Sequence, residues 1–243
     1  MVMSPLTIIT YNIRLCFDSS VEAVANTLKP YGPDIVALQE VGKDWYMGAP
    51  GDQAMQIADF LGLDYAIFGP ALTLKDVSLP PDVTYNPGSR YGVALLSRFP
   101  VNGWTIHKLP RHTDERRVLL HAELNLLGRQ PIHAFVTHLS IHEKDREEQV
   151  KMILEIMRPY MRRDLVLMGD FNFDPGSGTY RQIRRHLKDL DFREPLPPTY
   201  PAKSPSHRFD YIFGSAQIEV EQQTRVDKGI TSDHLAVIAQ IQV

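Results

Sequence analysis

The sequence predicts a layered α/β (α+β) fold, a four-layered sandwich of two mixed, mostly antiparallel β-sheets flanked by helices. Three observations predict it. The chain opens with a strand, a helix and a second strand within about 35 residues, the order of a βαβ unit. Four apolar segments with short connections follow in the middle of the chain, which favours antiparallel pairing. Helical segments with one apolar face separate the strands, so they can cover the outside of the sheets.

The first part of the chain alternates strands and helices. Residues 21–28 place apolar side chains at helical spacing behind Ser20, a residue type favoured before a helix, and Pro30 and Pro33 end this helix. Residues 69–90 are rich in proline and show little periodicity, which predicts a long surface loop. The elements predicted up to residue 90 are strands over 6–11 and 35–38, helices over 21–28 and 55–61, and the loop over 69–90.

The rest of the chain contains most of the predicted strands. Residues 142–163 carry apolar side chains at helical spacing under a charged face, and a fully apolar strand follows them. The remaining predicted elements are strands over 93–96, 104–109, 118–126, 132–137, 165–168, 211–213, 218–220 and 236–241, a helix over 179–187, and a proline-rich loop over 195–205.

Length and composition limit the class of protein. The chain has 243 residues, of which 43% are hydrophobic and 23% charged, as in ordinary globular domains. It contains no repeat or evident linker, so we predict one domain over residues 1–243. The single cysteine, Cys16, excludes an internal disulfide. A formal charge of −3 is not that of a protein that coats nucleic acid, although it permits a local basic groove.

No membrane or export segment is evident. No stretch approaches the ~20 apolar residues of a membrane span, and the first ten residues lack the basic start of a signal peptide. We therefore expect no transmembrane segment and a cytoplasmic location. We also expect a monomer.

Polar residues follow one apolar strand after another. Taken singly, each has an ordinary explanation. Asn12 suits a turn, Glu40 a solvated strand end, and His138 a structural role. Asp170 with Asn172 suits an Asx turn. Their recurrence at strand ends predicts instead that they converge on one rim. The polar residues at strand ends are Asn12, Glu40, His138, Asp170, Asn172, Asp210, Asp233 and His234.

These residue types suit one kind of chemistry. Carboxylate and amide oxygens are hard ligands that favour Mg²⁺ or Mn²⁺ over zinc. Histidines transfer protons near neutral pH. Hydrolysis of a phosphoester needs both a cation to neutralise developing charge and groups that position water and the leaving oxygen.

The same segments resemble a known family. In the family's order they are Thr10-Tyr11-Asn12-Ile13-Arg14, Leu38-Gln39-Glu40, residues 91–100, Thr137-His138-Leu139, Gly169-Asp170-Phe171-Asn172, residues 208–213 and Ser232-Asp233-His234. Together they resemble the endonuclease/exonuclease/phosphatase superfamily, the deoxyribonuclease-I-like metal-dependent phosphoesterases, over residues 10 to 234.

The resemblance implies a metal site. Glu40 would be the principal ligand of Mg²⁺ or Mn²⁺, with Asn12 beside it and Asp233 contributing directly or through water.

The resemblance also implies the catalytic roles. Asp170 would position or deprotonate the attacking water, and Asn172 would hold a phosphate oxygen. Asp210 would orient His234, the second histidine at the phosphate. His138 would stabilise the transition state or protonate the leaving oxygen. Which histidine is the acid and which the base stays open at this point.

One position departs from the nuclease pattern. A glutamate that supports the first histidine in that branch is replaced here by Ser89, and Glu115 is a candidate substitute from another strand. The partner of His138 is therefore open. Arg116 and Arg117, just before a strand, are candidates for binding a substrate phosphate.

The predicted activity is metal-dependent hydrolysis of a phosphoester, specifically of a phosphodiester in the manner of a nuclease or DNA-repair enzyme. The substrate partner is then nucleic acid. A phospholipid or inositol-phosphate phosphoesterase, similar to sphingomyelinases, is the alternative. A binding module that kept the fold and lost catalysis is the alternative from another class, and the intact acidic and histidine set argues against it.

Overall fold

Two six-stranded β-sheets pack face to face in the computed structural model, which describes residues 4–79, 86–191, 193, 195–227 and 229–243. The strands are β1 (Leu6–Asn12), β2 (Ile35–Lys43), β3 (Tyr65–Thr73), β4 (Arg90–Ser97), β5 (Val101–Lys108), β6 (Val118–Leu124), β7 (Ile132–His138), β8 (Leu165–Asp170), β9 (Lys188–Asp189), β10 (Asp210–Gly214), β11 (Glu219–Val226) and β12 (Val237–Gln242). The α-helices are α1 (Val21–Leu28), α2 (Gln53–Leu61), α3 (Glu143–Met157) and α4 (Gly178–Arg184).

Both sheets are mixed and mostly antiparallel. The first has the strand order β11-β12-β1-β2-β4-β3 and the second β5-β6-β7-β8-β10-β9. Each contains one parallel pair, β1 with β2 and β7 with β8, so the predicted βαβ opening is confirmed. The carboxyl ends of these four central strands lie at one edge of the sandwich.

Three apolar layers hold the sandwich together. Along β1, Ile8 packs between the sheets, whereas Ile9, the next residue, packs towards α1 and α2. This alternation follows from the two-residue repeat of a strand, and it allows each sheet to bury both faces. Val150 and Ile153 of α3 cover the outer face of the second sheet. The predicted four-layered α/β sandwich is therefore confirmed.

The predicted loop over residues 69–90 is wrong at its start, because Gly69 to Thr73 belong to β3. This strand lies at the edge of its sheet, and its pairing with β4 is irregular between Pro70 and Leu72. A proline is tolerated at such an edge or bulge because a missing N–H donor costs little there. Residues 80–85 of the predicted loop lie outside the described part of the chain.

The predicted run of four central strands divides between the two sheets. β5, β6 and β7 pair antiparallel as expected, but β4 pairs with β2 and β3 in the other sheet. A short strand, β9, was not predicted, because two residues carry no periodicity. Within the described ranges, no helix is long and apolar enough to span a membrane.

Candidate active site

Six of the eight predicted polar residues line one open cavity of about 570 Å³, and the other two, Asn12 and Asp210, contact members of that lining. The sheet register explains why they meet, because His138 of β7 pairs with Asp170 of β8, and Asp170 pairs with Asp210 of β10. The cavity is lined by Glu40, Tyr91, Asp114, Glu115, Arg117, His138, Ile141, Asp170, Asn172, Tyr200, Phe209, Asp233 and His234.

Glu40 is directed by an irregularity in β2. The pairing of β2 with β4 shifts between Leu38 and Val41, and Glu40 has a φ of 53°. A bulge of this kind turns a side chain out of the regular alternation, and such strained residues cluster at functional sites.

Asn12 joins Glu40 to the buried acid of the site. Its Nδ2 lies 3.0 Å from Glu40 Oε1 and 3.0 Å from Asp170 Oδ2. Two carboxylates therefore converge on one neutral amide. This hard-oxygen donor set fits Mg²⁺ or Mn²⁺.

Asp170 uses its two carboxylate oxygens differently. Oδ1 accepts a hydrogen bond from the backbone N–H of Asn172 at 2.9 Å, which is the turn expected of an aspartate at this position. Oδ2 lies 3.5 Å from His138 Nε2 and 3.6 Å from His234 Nε2. Burial raises the pKa of Asp170 to about 7.

Gly169 allows Asp170 to reach this position. A Cβ at residue 169 would lie 2.0 Å from the carbonyl oxygen of Thr137 in the neighbouring strand β7. Any side chain there would push β7 and β8 apart. The glycine therefore keeps His138 and Asp170 in register.

His234 forms a buried pair with Asp210. Its Nδ1 lies 2.9 Å from Asp210 Oδ2, and the ring of Tyr200 packs 4.7 Å from its ring. Burial opposes a positive charge on His234, but attraction to Asp210 and Asp170 outweighs it and raises the pKa of His234 to about 10. The imidazole is therefore a cation at neutral pH.

His138 has the opposite environment. Its Nδ1 lies 2.9 Å from Nη1 of Arg117, which in turn lies 3.1 Å from Glu115 Oε1. Burial, followed by repulsion from Arg117 and His234, lowers the pKa of His138 well below its usual range. Glu115 thus reaches His138 only through Arg117. Ser89 is held away from it by hydrogen bonds to the carbonyl oxygens of Asp44 and Asn86.

The other predicted residues lie in different places. Asp233 is at the rim, with 32% of its side chain exposed and its Oδ2 3.5 Å from Arg14 Nε. Asn172 lies in the cavity and donates from Nδ2 to the Leu139 carbonyl at 2.9 Å. Arg117 is buried, and Arg116 is outside the cavity lining.

Some residues of the cavity were not predicted from the sequence. Tyr200 and Phe209 form an aromatic wall, with ring centroids 5.4 Å apart. Phe209 lies inside one of the family-like motifs, between Arg208 and Asp210, whereas Tyr200 lies within the predicted proline-rich loop over residues 195–205, which carries no signal for a site. Loop residues of this kind can be assigned only once the chain is folded.

A second group of buried residues could also hold a cation. Ligand atoms of Asp170, Asp210 and His234 lie within 4.8 Å of one another. Asp210 already binds His234, so this group balances much of its own charge. Among the hydrogen bonds of the described residues, Glu40 has only the neutral amide of Asn12. The negative charge of Glu40 is therefore less balanced by the protein than that of the Asp170, Asp210 and His234 group, which makes Glu40 the better candidate to bind a cation.

Comparison with known proteins agrees with this fold. The endonuclease/exonuclease/phosphatase family model matches residues 9–234, which include every predicted site residue. The chain belongs to this family. The resemblance drawn from the sequence motifs is therefore confirmed.

The chain is similar to proteins of several bacteria. The uncharacterized protein YbhP of Escherichia coli K12 is 25% identical over 90% of this chain and 87% of its own. A family member from Beutenbergia cavernae DSM 12333 is 26% identical, with a TM-score of 0.85 over 99% of this chain and 72% of that one.

A more distant structure shares the fold alone. It is a mannosyl-6-phosphatase from Bacteroides thetaiotaomicron VPI-5482, which is 18% identical. Its TM-score is 0.76 over 98% of this chain and 100% of that one.

Proposed function

We propose that this protein is a Mg²⁺- or Mn²⁺-dependent phosphodiesterase that hydrolyses its substrate by in-line attack of water. One observation carries the proposal. Asp170 Oδ2 lies within 3.6 Å of both histidines and 3.0 Å from Asn12, which also binds Glu40. A candidate base, two proton-carrying groups and a candidate metal site therefore surround the space where one phosphorus atom would lie.

Glu40 and Asn12 would hold the cation, with Asp233 contributing from the rim directly or through water. When bound, the cation would neutralise charge that develops on the phosphoryl oxygens. Asn12 would have to present its amide oxygen, which here accepts the backbone N–H of Arg14 at 3.0 Å. Oxygen and nitrogen of an amide exchange places by a simple flip.

Asp170 would orient the attacking water and accept its proton. Asn172 has two N–H donors on Nδ2, of which one binds the Leu139 carbonyl. The other would hold a phosphate oxygen. His234, a cation through its pairing with Asp210, would give a proton to the leaving oxygen, and His138 would stabilise the transition state.

The charge of the cavity favours a diester over a monoester. Five carboxylates line it, those of Glu40, Asp114, Glu115, Asp170 and Asp233. Among the described residues of that lining, Arg117 is the one lysine or arginine, and it is engaged by its neighbours. A diester phosphate carries one negative charge, whereas a monoester phosphate carries close to two, and so meets more repulsion.

A substrate panel tests the proposal. Bis(p-nitrophenyl) phosphate, p-nitrophenyl phosphate, DNA, abasic DNA, RNA, sphingomyelin and phosphoinositides are incubated with Mg²⁺, Mn²⁺ or EDTA. We expect diesters to be hydrolysed with metal and not with EDTA. DNA or RNA turnover would support a nuclease, and lipid turnover the alternative enzyme. Activity that persists in EDTA, or no turnover of any member, would refute the proposal.

Glu40→Gln tests the metal site separately. Losing one hard carboxylate is expected to weaken binding of Mn²⁺ and hydrolysis together, while circular dichroism and the melting temperature stay near those of the parent. Calorimetric titration with Mn²⁺ measures the affinity. Glu147→Gln, an exposed change on α3, is the matched control. Unchanged Mn²⁺ affinity in Glu40→Gln would remove Glu40 from the metal site.

A further inference from the structure

Arg117 is placed against the side of His138 that faces away from Asp170. Its Nη1 lies 2.9 Å from His138 Nδ1, and the opposite ring nitrogen, Nε2, lies 3.5 Å from Asp170 Oδ2. A guanidinium group only donates hydrogen bonds. His138 Nδ1 must therefore accept, and the ring proton must lie on Nε2.

The guanidinium is held in that position from two sides. Glu115 Oε1 lies 3.1 Å from Nη1, and Asp114 Oδ2 lies 3.4 Å from Nη2. Asp114 itself accepts the backbone N–H of Ile141 at 3.1 Å, which joins this loop to the segment after β7. Only 7% of the Arg117 side chain is exposed. Its geometry is therefore set by the protein and does not depend on a substrate.

A proton on both nitrogens of His138 is disfavoured by the same contact. It would place an N–H of the imidazolium against an N–H of the guanidinium, with two positive charges in a buried site. The charged groups that face His138 are Arg117 at Nδ1, Asp170 at Nε2, and His234 beyond Asp170. Arg117 is the one that contacts Nδ1 directly.

We propose that Arg117 is a positioning residue that keeps His138 a neutral imidazole with its proton on Nε2. His138 then donates a hydrogen bond from Nε2 to a phosphoryl oxygen in the transition state and transfers no proton. The consequence for the reaction rests on the proposed function, whereas the tautomer does not. The structure thereby assigns proton transfer to the groups around Asp170 and His234, and Arg117 acts through His138 rather than on the substrate.

The tautomer is measured directly on the full chain. Long-range ¹⁵N–¹H NMR correlations of ¹⁵N-histidine-labelled protein distinguish the protonated from the unprotonated ring nitrogen, and His138→Gln identifies the signals of His138. We expect an unprotonated Nδ1 and a protonated Nε2 at neutral pH. In Arg117→Met we expect a second population with Nδ1 protonated. A parent protein with protonated Nδ1, or with both nitrogens protonated, would overturn the inference.

A double-mutant cycle tests the route of the effect. Hydrolysis of bis(p-nitrophenyl) phosphate is measured for the parent, Arg117→Met, His138→Gln and the double variant. Arg117→Met is expected to lower kcat/KM roughly 10²-fold, as for loss of one positioned donor. In the His138→Gln background the same change is expected to cost no more than about twofold. An equal loss in both backgrounds would overturn the inference.

One further variant keeps the outcomes separable. Arg117→Lys retains a cationic donor on a shorter reach, so we expect it to recover part of the activity lost in Arg117→Met. If Arg117→Met does not fold, the tautomer of the parent decides the inference alone. A parent without turnover would refute the proposed function and leave the tautomer assignment standing on its NMR result.

Discussion

The two histidines of the cavity face the same oxygen of Asp170 but have opposite partners behind them. His234 has the carboxylate of Asp210 at its Nδ1, and its pKa is raised to about 10. His138 has the guanidinium of Arg117 at its Nδ1, and its pKa is lowered well below the usual value. Both side chains are buried. Burial lowers the pKa of both imidazoles; attraction to Asp210 and Asp170 outweighs it at His234, whereas repulsion from Arg117 adds to it at His138.

This difference shows how one cavity provides two functions with one residue type. A carboxylate partner makes an imidazolium that can give a proton, whereas a guanidinium partner makes a neutral donor. Asp170 lies between them, with its Oδ2 3.5 Å from Nε2 of His138 and 3.6 Å from Nε2 of His234.

The largest effect is expected from removing the carboxylate that the two histidines share. Asp170→Asn keeps the size of the side chain and can still accept the N–H of Asn172, so the turn should survive. It removes the base and the charge that both histidines face. We expect kcat to fall roughly 10²–10⁴-fold, the range for a positioned general base.

Steady-state hydrolysis of bis(p-nitrophenyl) phosphate and a thermal melt check this expectation, with the exposed Asp59→Asn as matched control. Little change in melting temperature is expected. If Asp170 served only the turn, Asn would replace it with little loss. A kcat within a few-fold of the parent would therefore contradict the catalytic role.

The next effect separates the two histidines. His138→Ala and His234→Ala are each expected to lower kcat by roughly 10²-fold or more, since each loses a group at the phosphate. If both serve one phosphorus atom, the double variant should lose much less than the product of the two factors. The same kinetic assay measures all three variants, with exposed His186→Ala as control.

Fully multiplicative losses in the double variant would show that the two histidines act in separate steps or sites. The comparison between them would then have no bearing on a shared reaction centre.

The smallest effect concerns a histidine outside the cavity. His121 on β6 stacks on Phe135 with ring centroids 4.2 Å apart, and its Nε2 lies 3.1 Å from His133 Nδ1. Burial lowers the pKa of His121 to about 4. No carboxylate contacts this ring directly in the described hydrogen bonds. His121 therefore resembles His138 in charge without having an arginine beside it.

The low pKa of His121 makes stability depend on pH. The unfolded chain binds this proton near pH 6.5 and the folded chain only near pH 4, so the free energy of unfolding decreases as the pH falls between these values. One proton gives at most about 1.4 kcal/mol per pH unit, and partial exposure of His121 reduces this. His121→Gln should make the decrease less steep.

Urea unfolding at several pH values between pH 4 and 7 measures that slope. His186→Gln, at an exposed position, is the control and should leave the slope of the parent unchanged. A slope in His121→Gln as steep as in the parent would contradict the assignment of this pH dependence to His121.

Much of the fold could be predicted because many strands and helices follow from local patterns of apolar residues in the sequence. The strands around residues 6–11 and 165–168 are runs of apolar residues, and the helices α1 and α3 show clear apolar faces. The second half of β3, from Gly69 to Thr73, was predicted as a loop, because Pro70 is tolerated in a strand only at an edge or bulge. The local pattern also does not show which sheet β4 joins, since strand pairing depends on residues that are distant in the chain.

The candidate site divides in the same way. The sequence by itself determined its chemistry, because the acids, amides and histidines that follow the strands are the residue types that phosphoester hydrolysis requires. Only the tertiary structure decided their charge. Pairing of β6 with β7 brings Arg117 to Nδ1 of His138, and packing of the two sheets brings Asp210 to Nδ1 of His234. An interaction between charges depends on distance in space and on burial. Neither quantity can be determined from positions along the chain.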